Sequence, residues 1–118
     1  MEIKTNKHGV NVCIKAHELS EEEMKKIGFH NINKNYWSLN RGLGHDICFY
    51  ISINKNDVTD LDISVLDEDF LQPYDYQSIL ENSPTHKIAS LVKEKVENIM
   101  EEMQEAGVIS GHIRGEYI

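Results

Sequence analysis

The sequence predicts an α+β fold: an antiparallel sheet of three to four strands, a short helix from the N-terminal half and a long amphipathic helix near the C-terminus, in the order β-α-β-β-β-α. Three observations lead there. Apolar and polar residues alternate through Val10–Ala16, Ile47–Ile53 and Leu61–Val65, the period-2 pattern of half-buried strands. The later strands are joined by short connections, which antiparallel neighbours allow and parallel ones do not. From Ile88 to Met103 apolar residues recur at three- and four-residue spacing, which places them on one face of a helix. With 118 residues, 40% apolar and 27% charged, residues 1–118 have the size and balance of one domain with its own core.

The N-terminal strand is read at Val10–Ala16, with Met1–Thr5 paired to it as a hairpin across Lys7-His8-Gly9. The first helix is well signalled. Ser20 and Glu23 have the spacing of a capping box, and Leu19 and Met24 that of a hydrophobic staple. Glu21, Glu22 and Glu23 suit the positive end of the helix dipole, Lys25 and Lys26 the negative end, and Gly28 the residue that ends it.

Three strands follow. Tyr36–Asn40 carries Trp37 and Leu39 on one face, and Arg41-Gly42-Leu43-Gly44 reads as a turn. Ile47, Phe49, Ile51 and Ile53 share a face of the next strand, and Leu61, Ile63 and Val65 a face of the third. A helical turn is expected at Tyr76–Asn82. Ser83 and Pro84 read as the cap and first residue of the long helix, whose apolar face is Ile88, Leu91, Val92, Val96, Ile99, Met100 and Met103. Gly107, Gly111 and Gly115 make residues 107–118 a flexible or extended tail, with an edge strand ending at Tyr117-Ile118.

Charge is concentrated in one block. Asn56–Thr85 contains no Lys or Arg and eight carboxylates: Asp57, Asp60, Asp62, Asp67, Glu68, Asp69, Asp75 and Glu81. Residues 1–55 hold eight Lys or Arg against six Asp or Glu, so the net charge of −8 belongs almost wholly to the centre of the chain. Direct binding to nucleic acid or to anionic membranes is not expected, because both need basic patches that meet phosphate. The αβββα core order is similar to that of double-stranded RNA-binding domains, but the start of the last helix offers only His86 and Lys87 where those domains carry a basic cluster. No apolar run approaches the ~18 residues of a membrane span, and the N-terminus lacks the apolar region of a signal peptide. Cys13 and Cys48 do not make a disulfide framework, and a reducing cytoplasm is the expected compartment.

Chemistry-bearing patterns are sparse. His8, His17, His30, His45, His86 and His112 fall in no HxxxH, HxH or CxxC spacing, so no metal or cofactor is expected. Counted from Asp57, a calcium loop would need ligands at its third and fifth positions and glycine at its sixth; the chain has Thr59, Leu61 and Asp62 there. His45-Asp46 is a candidate proton-transfer pair, and a cysteine–histidine nucleophile is a further option, since such partners meet in space and not in sequence.

What remains is Asp67–Gln77, where acids and aromatics crowd around a proline. Phe70 and Leu71 are expected to be packed, with Pro73 fixing a turn. Asp67, Glu68, Asp69, Tyr74, Asp75 and Tyr76 are the candidate interaction residues, because tyrosine is a frequent interface anchor and the acids supply one-sign charge. Val65–Gln77 resembles a VLDE-x-F-x-QPYDYQ stretch of small, functionally unassigned proteins of bacteriophages and mobile elements in low-GC Gram-positive bacteria, with a looser similarity at Glu22–Trp37. The resemblance implies a context and no activity. The leading expectation is a non-catalytic cytoplasmic interaction protein that engages a basic protein partner, such as an inhibitor or modulator of a nucleic-acid-binding protein. The alternatives are a small enzyme using carboxylate and histidine acid–base chemistry, and a homo-oligomer formed through Met100 and Met103 of the C-terminal helix.

Overall fold

The computed structural model describes residues 2–7, 10–31 and 33–114, with side chains from Ile14 onward. In chain order the elements are β1 (Glu2–Lys7), β2 (Val10–Ala16), α1 (Glu21–Ile27), β3 (His30–Asn31), β4 (Tyr36–Gly44), β5 (Ile47–Asn54), β6 (Asp57–Asp67), β7 (Gln72–Pro73), α2 (Tyr76–Asn82), α3 (Lys87–Glu105) and β8 (Ile109–Ser110). The α+β class and the antiparallel pairing hold. The single sheet of three to four strands does not: the strands form a five-stranded sheet in the order β3-β4-β5-β6-β7 and a three-stranded sheet in the order β1-β2-β8. Strand β2 leaves the meander because its partners are β1 and, from the far end of the chain, β8. Strands β3, β7 and β8 have two residues each, too few to show an alternation.

The central meander is built as its pattern demands. Ile47, Phe49, Ile51 and Ile53 of β5 are buried together with Trp37, Leu39 and Leu43 of β4 and Leu61 of β6. The β4–β5 turn is displaced from the position expected. Arg41–Gly44 continues β4 through a register shift between Gly42 and Gly44, and the chain reverses at His45-Asp46. Both turn residues have positive φ, 53° and 61°, as a two-residue hairpin of the type I′ class requires.

Helices α1 and α3 close the core. In α1, the Glu23 amide donates to Ser20 Oγ at 3.2 Å, the reciprocal bond of the capping box is present, and Gly28 ends the helix at φ 121°. Met24 is the side chain α1 buries. On α3, Ala89, Val92, Val96, Ile99, Met100 and Met103 are buried in one cluster with the β4–β6 side chains. Met100 and Met103, the side chains expected to join copies, fill the interior of their own chain. Leu91, expected in the apolar face, is exposed.

The start of α3 also differs from expectation. Ser83 closes α2, its amide donating to Ile79 O at 2.8 Å, and the cap of α3 is His86, whose Nδ1 accepts from the Ala89 amide at 3.1 Å. Beyond α3 the chain stays packed as far as His112. Val108 and Ile109 are buried, the His17 amide donates to Val108 O at 2.9 Å, and Gln104 brackets the His112 backbone with bonds of 2.8 and 3.2 Å. Residues 115–118, and the edge strand expected to end at Tyr117-Ile118, lie outside the described residues. No described helix is long and apolar enough to cross a membrane.

Candidate functional site at the acidic turn

The candidate residues occupy one end of the five-stranded sheet, where β6 passes through a turn into β7 and α2. The turn is held by its own carboxylate. Asp67 Oδ1 accepts from the Asp69 amide at 3.0 Å and the Phe70 amide at 3.3 Å, an Asx-type turn. The Glu68 amide donates to Asp46 O at 2.8 Å, which ties this turn to the β4–β5 turn beside it. The Tyr50 hydroxyl donates to Glu68 Oε1 at 3.0 Å, and that bond, aided by burial, pushes the Tyr50 phenol up to about 12. Glu68, Asp69 and Asp46 are exposed, so the two turns present their acids together.

Phe70 and Leu71 overturn the expectation that they are packed: they are 70% and 88% exposed. They sit at the tip because Asp67 spends its carboxylate on the turn's backbone, and β7 resumes pairing only at Gln72, opposite Asp67. Leu71 has φ 53°, a left-handed conformation that is costly for a residue other than glycine.

The second half of the segment is anchored inward. Tyr74 is half-buried, its amide bonded to Val65 O at 2.9 Å, and burial raises its phenol. Asp75 caps α2, with Oδ1 accepting from the Ser78 amide at 3.1 Å and Oδ2 from Ser78 Oγ at 2.9 Å. Tyr76 and Gln77 are buried, and burial, with the Glu97 and Asp75 carboxylates adding to it, raises the Tyr76 phenol strongly. Of the six residues singled out, Glu68 and Asp69 are displayed, Asp67 and Asp75 shape the backbone, and Tyr74 and Tyr76 pack.

The remaining candidates are dispersed. His17 shares a hydrogen bond with Ser110 Oγ at 2.7 Å, His30 and His45 are exposed, His86 caps α3, and His112 is buried with Nε2 3.4 Å from Glu97 Oε2. His8 and the Cys13 side chain lie outside the described residues. Cys48 is buried, and burial raises its thiol, which lowers the fraction of reactive thiolate. Asp57 accepts from the Thr59 amide at 3.0 Å and from its hydroxyl, so its carboxylate is used within its own turn. Among the described residues no three His, Cys, Asp or Glu side chains converge as a metal site would need.

Two features escaped the sequence. The exposed Phe70-Leu71 pair had a signal in its lack of any periodic apolar partner. The buried Glu97–His112 pair had one in the position of Glu97 beside Val96, within the apolar face of α3.

The architecture is thus an α+β protein with a turn that displays an apolar pair among acids. Its fold is similar to that of the crystal structure of a DUF1831 family protein from Lactobacillus plantarum, with a TM-score of 0.65 over 92% of this chain and 93% of that one, at 11% sequence identity. At that identity the likeness is one of fold alone. No protein-family model and no curated protein sequence matches the chain.

Proposed function

We propose that this protein is a non-catalytic, cytoplasmic interaction protein that docks a basic protein partner through the turn Asp67–Leu71. The observation that carries this reading is the exposure of Phe70 and Leu71, at 70% and 88%, on a turn flanked by Glu68 and Asp69. An apolar pair has reason to be held in water, one member at a strained backbone angle, when a partner covers it. The acids around it would steer a Lys- or Arg-rimmed surface toward it and reject acidic ones. A protein that itself binds nucleic acid has such a surface, and the turn would compete with phosphate there. Tyr74 and Tyr76 support the turn from beneath and do not meet the partner.

The test is quantitative affinity capture from the native host, with the wild-type chain beside a Phe70→Ser/Leu71→Ser variant and a Glu68→Lys/Asp69→Lys variant. The expected result is a basic protein retained by the wild type, released as salt rises, and lost from both variants. The same set of proteins on all three chains would overturn the reading.

A further inference from the structure

A second feature lies at the opposite end of β6, up to roughly 33 Å along the strand from the acidic turn. There α1 and the β5–β6 turn enclose an open cavity of about 250 Å³. Its buried lining is Met24, Trp37 and Ile53, and its exposed margin carries Glu18 and Glu21. His17, also on the margin, is engaged with Ser110 Oγ at 2.7 Å. Lys55 completes the wall, with Nζ 4.4 Å from the centroid of the Trp37 ring.

That contact is a cation–π interaction, and an indole is the strongest side-chain partner for it. The β4–β5 register creates it. Trp37 pairs with Ile53 and Tyr36 with Asn54, so the next residue, Lys55, can fold back over the ring. Its amide donates to Asn35 O at 2.7 Å, which fixes the stem. Glu21 bonds Lys25 at 3.0 Å; that pairing holds its carboxyl below the usual range, and Lys55 adds a smaller pull in the same direction. The cleft beside the ring is open to solvent, and the carboxylates of Glu18 and Glu21 stand on its margin.

We propose that this cavity is a site for an organic cation, an alkylammonium or guanidinium group, which replaces the Lys55 ammonium over Trp37 and is countered by Glu18 and Glu21. Lys55 is the built-in competitor for that position. A cation tethered by so short a link competes at an effective concentration in about the millimolar range, so displacement sets the apparent affinity. The cation could be a free small molecule or a lysine or arginine side chain of another protein; both offer the same head group. The proposal stands on this end of the sheet and does not depend on the acidic turn.

Trp37 is the only tryptophan in the chain, so its fluorescence reports the site directly. The full chain, a Lys55→Ala variant and a Lys55→Ala/Glu18→Gln/Glu21→Gln variant are titrated with n-butylammonium chloride and with a blocked Gly-Lys-Gly peptide, at constant ionic strength. Saturable binding to Lys55→Ala is expected, at least about fivefold tighter than to wild type and lost from the triple variant, in line with removal of a tethered competitor. Tighter binding of the peptide assigns the site to a protein side chain; tighter binding of butylammonium assigns it to a free cation. Lys55→Met keeps the apolar stem without the charge and serves if the alanine variant does not fold; it too should bind more tightly than wild type. Failure of Lys55→Ala and Lys55→Met to bind saturably, equal affinity with and without the lysine charge, or indifference to the loss of Glu18 and Glu21 would each overturn the proposal.

Discussion

Between Asp67 and Leu71 the chain turns its side chains out to solvent; between Tyr74 and Gln77, a few residues on, it turns them in. Both stretches are acidic, and both contain aromatic or large apolar residues. They differ in where the carboxylates go. Asp67 bonds the backbone of its own turn and leaves Phe70 and Leu71 outside, while Asp75 caps α2 and thereby sets Tyr76 and Gln77 against α3. The β7 pairing at Gln72 and Pro73 is the boundary between them. Composition therefore marks the whole segment as unusual, but hydrogen bonding decides which part is displayed and which is foundation.

The sharpest way to break that comparison is to truncate one aromatic from each half. Tyr76→Ala should cost about 3 kcal/mol, the usual loss for a buried aromatic side chain. Phe70→Ala should stay within about 0.5 kcal/mol of wild type, as for an exposed position without special contacts. Urea unfolding monitored by circular dichroism gives both values, with the midpoint moving and the slope unchanged. Comparable losses would mean that Phe70 is part of the core and that the two halves are one unit.

The second change should have the opposite sign. Leu71 sits at φ 53°, where a residue with a Cβ is penalised by about 1–2 kcal/mol and glycine is not. Leu71→Gly should therefore stabilise the chain by up to about 1 kcal/mol, once the greater freedom of glycine in the unfolded state is deducted. Thermal unfolding would show this as a raised midpoint. A loss of more than about 1 kcal/mol would show that the Leu71 side chain has packing to lose and is not simply displayed.

Much of this architecture was legible in the sequence, and what was not has identifiable causes. Strand β5 and helix α1 are unambiguous, because alternation at Ile47–Ile53 and the Ser20–Glu23 box agree with the packing and capping that form. The division into two sheets was not legible, since β8 pairs with β2 through Ile109 and Ser110, more than ninety residues after Ala16. Ser83-Pro84 signals too early a start for α3, because it imitates a helix start while an imidazole performs the capping. Hydrophobicity alone points Phe70 and Leu71 to the core, but that rule runs in one direction only: cores are apolar, but apolar residues are not always core. The contact of Lys55 with Trp37 depends on strand register and turn geometry together, neither of which a sequence pattern states.

The smallest expected effect bears on how firmly the displayed half is held. Tyr50 lies on β5, outside the segment, and its hydroxyl bond to the Glu68 carboxylate is the main reason its phenol is pushed up to about 12. The carboxylate accepts the phenol's proton in a hydrogen bond and repels a phenolate, so the folded protein holds that proton more tightly than the unfolded chain, whose tyrosine titrates near 10. The contribution to stability is fully present below about pH 10 and is lost as pH rises toward about 12, the direction required when the folded state binds the extra proton. Glu68→Gln keeps an acceptor and removes the charge, so Tyr50 should ionise closer to the ordinary tyrosine value, and the alkaline fall in stability should be smaller and complete at a lower pH. Nuclear magnetic resonance titration of the Tyr50 ring follows the first effect, and urea midpoints taken across the alkaline range follow the second. An unchanged Tyr50 titration would mean that Glu68 swings free of β5, leaving Asp67 and the bond to Asp46 to hold the turn. That would place the boundary of the displayed half at Asp67 itself and make Glu68 as available to a partner as Asp69.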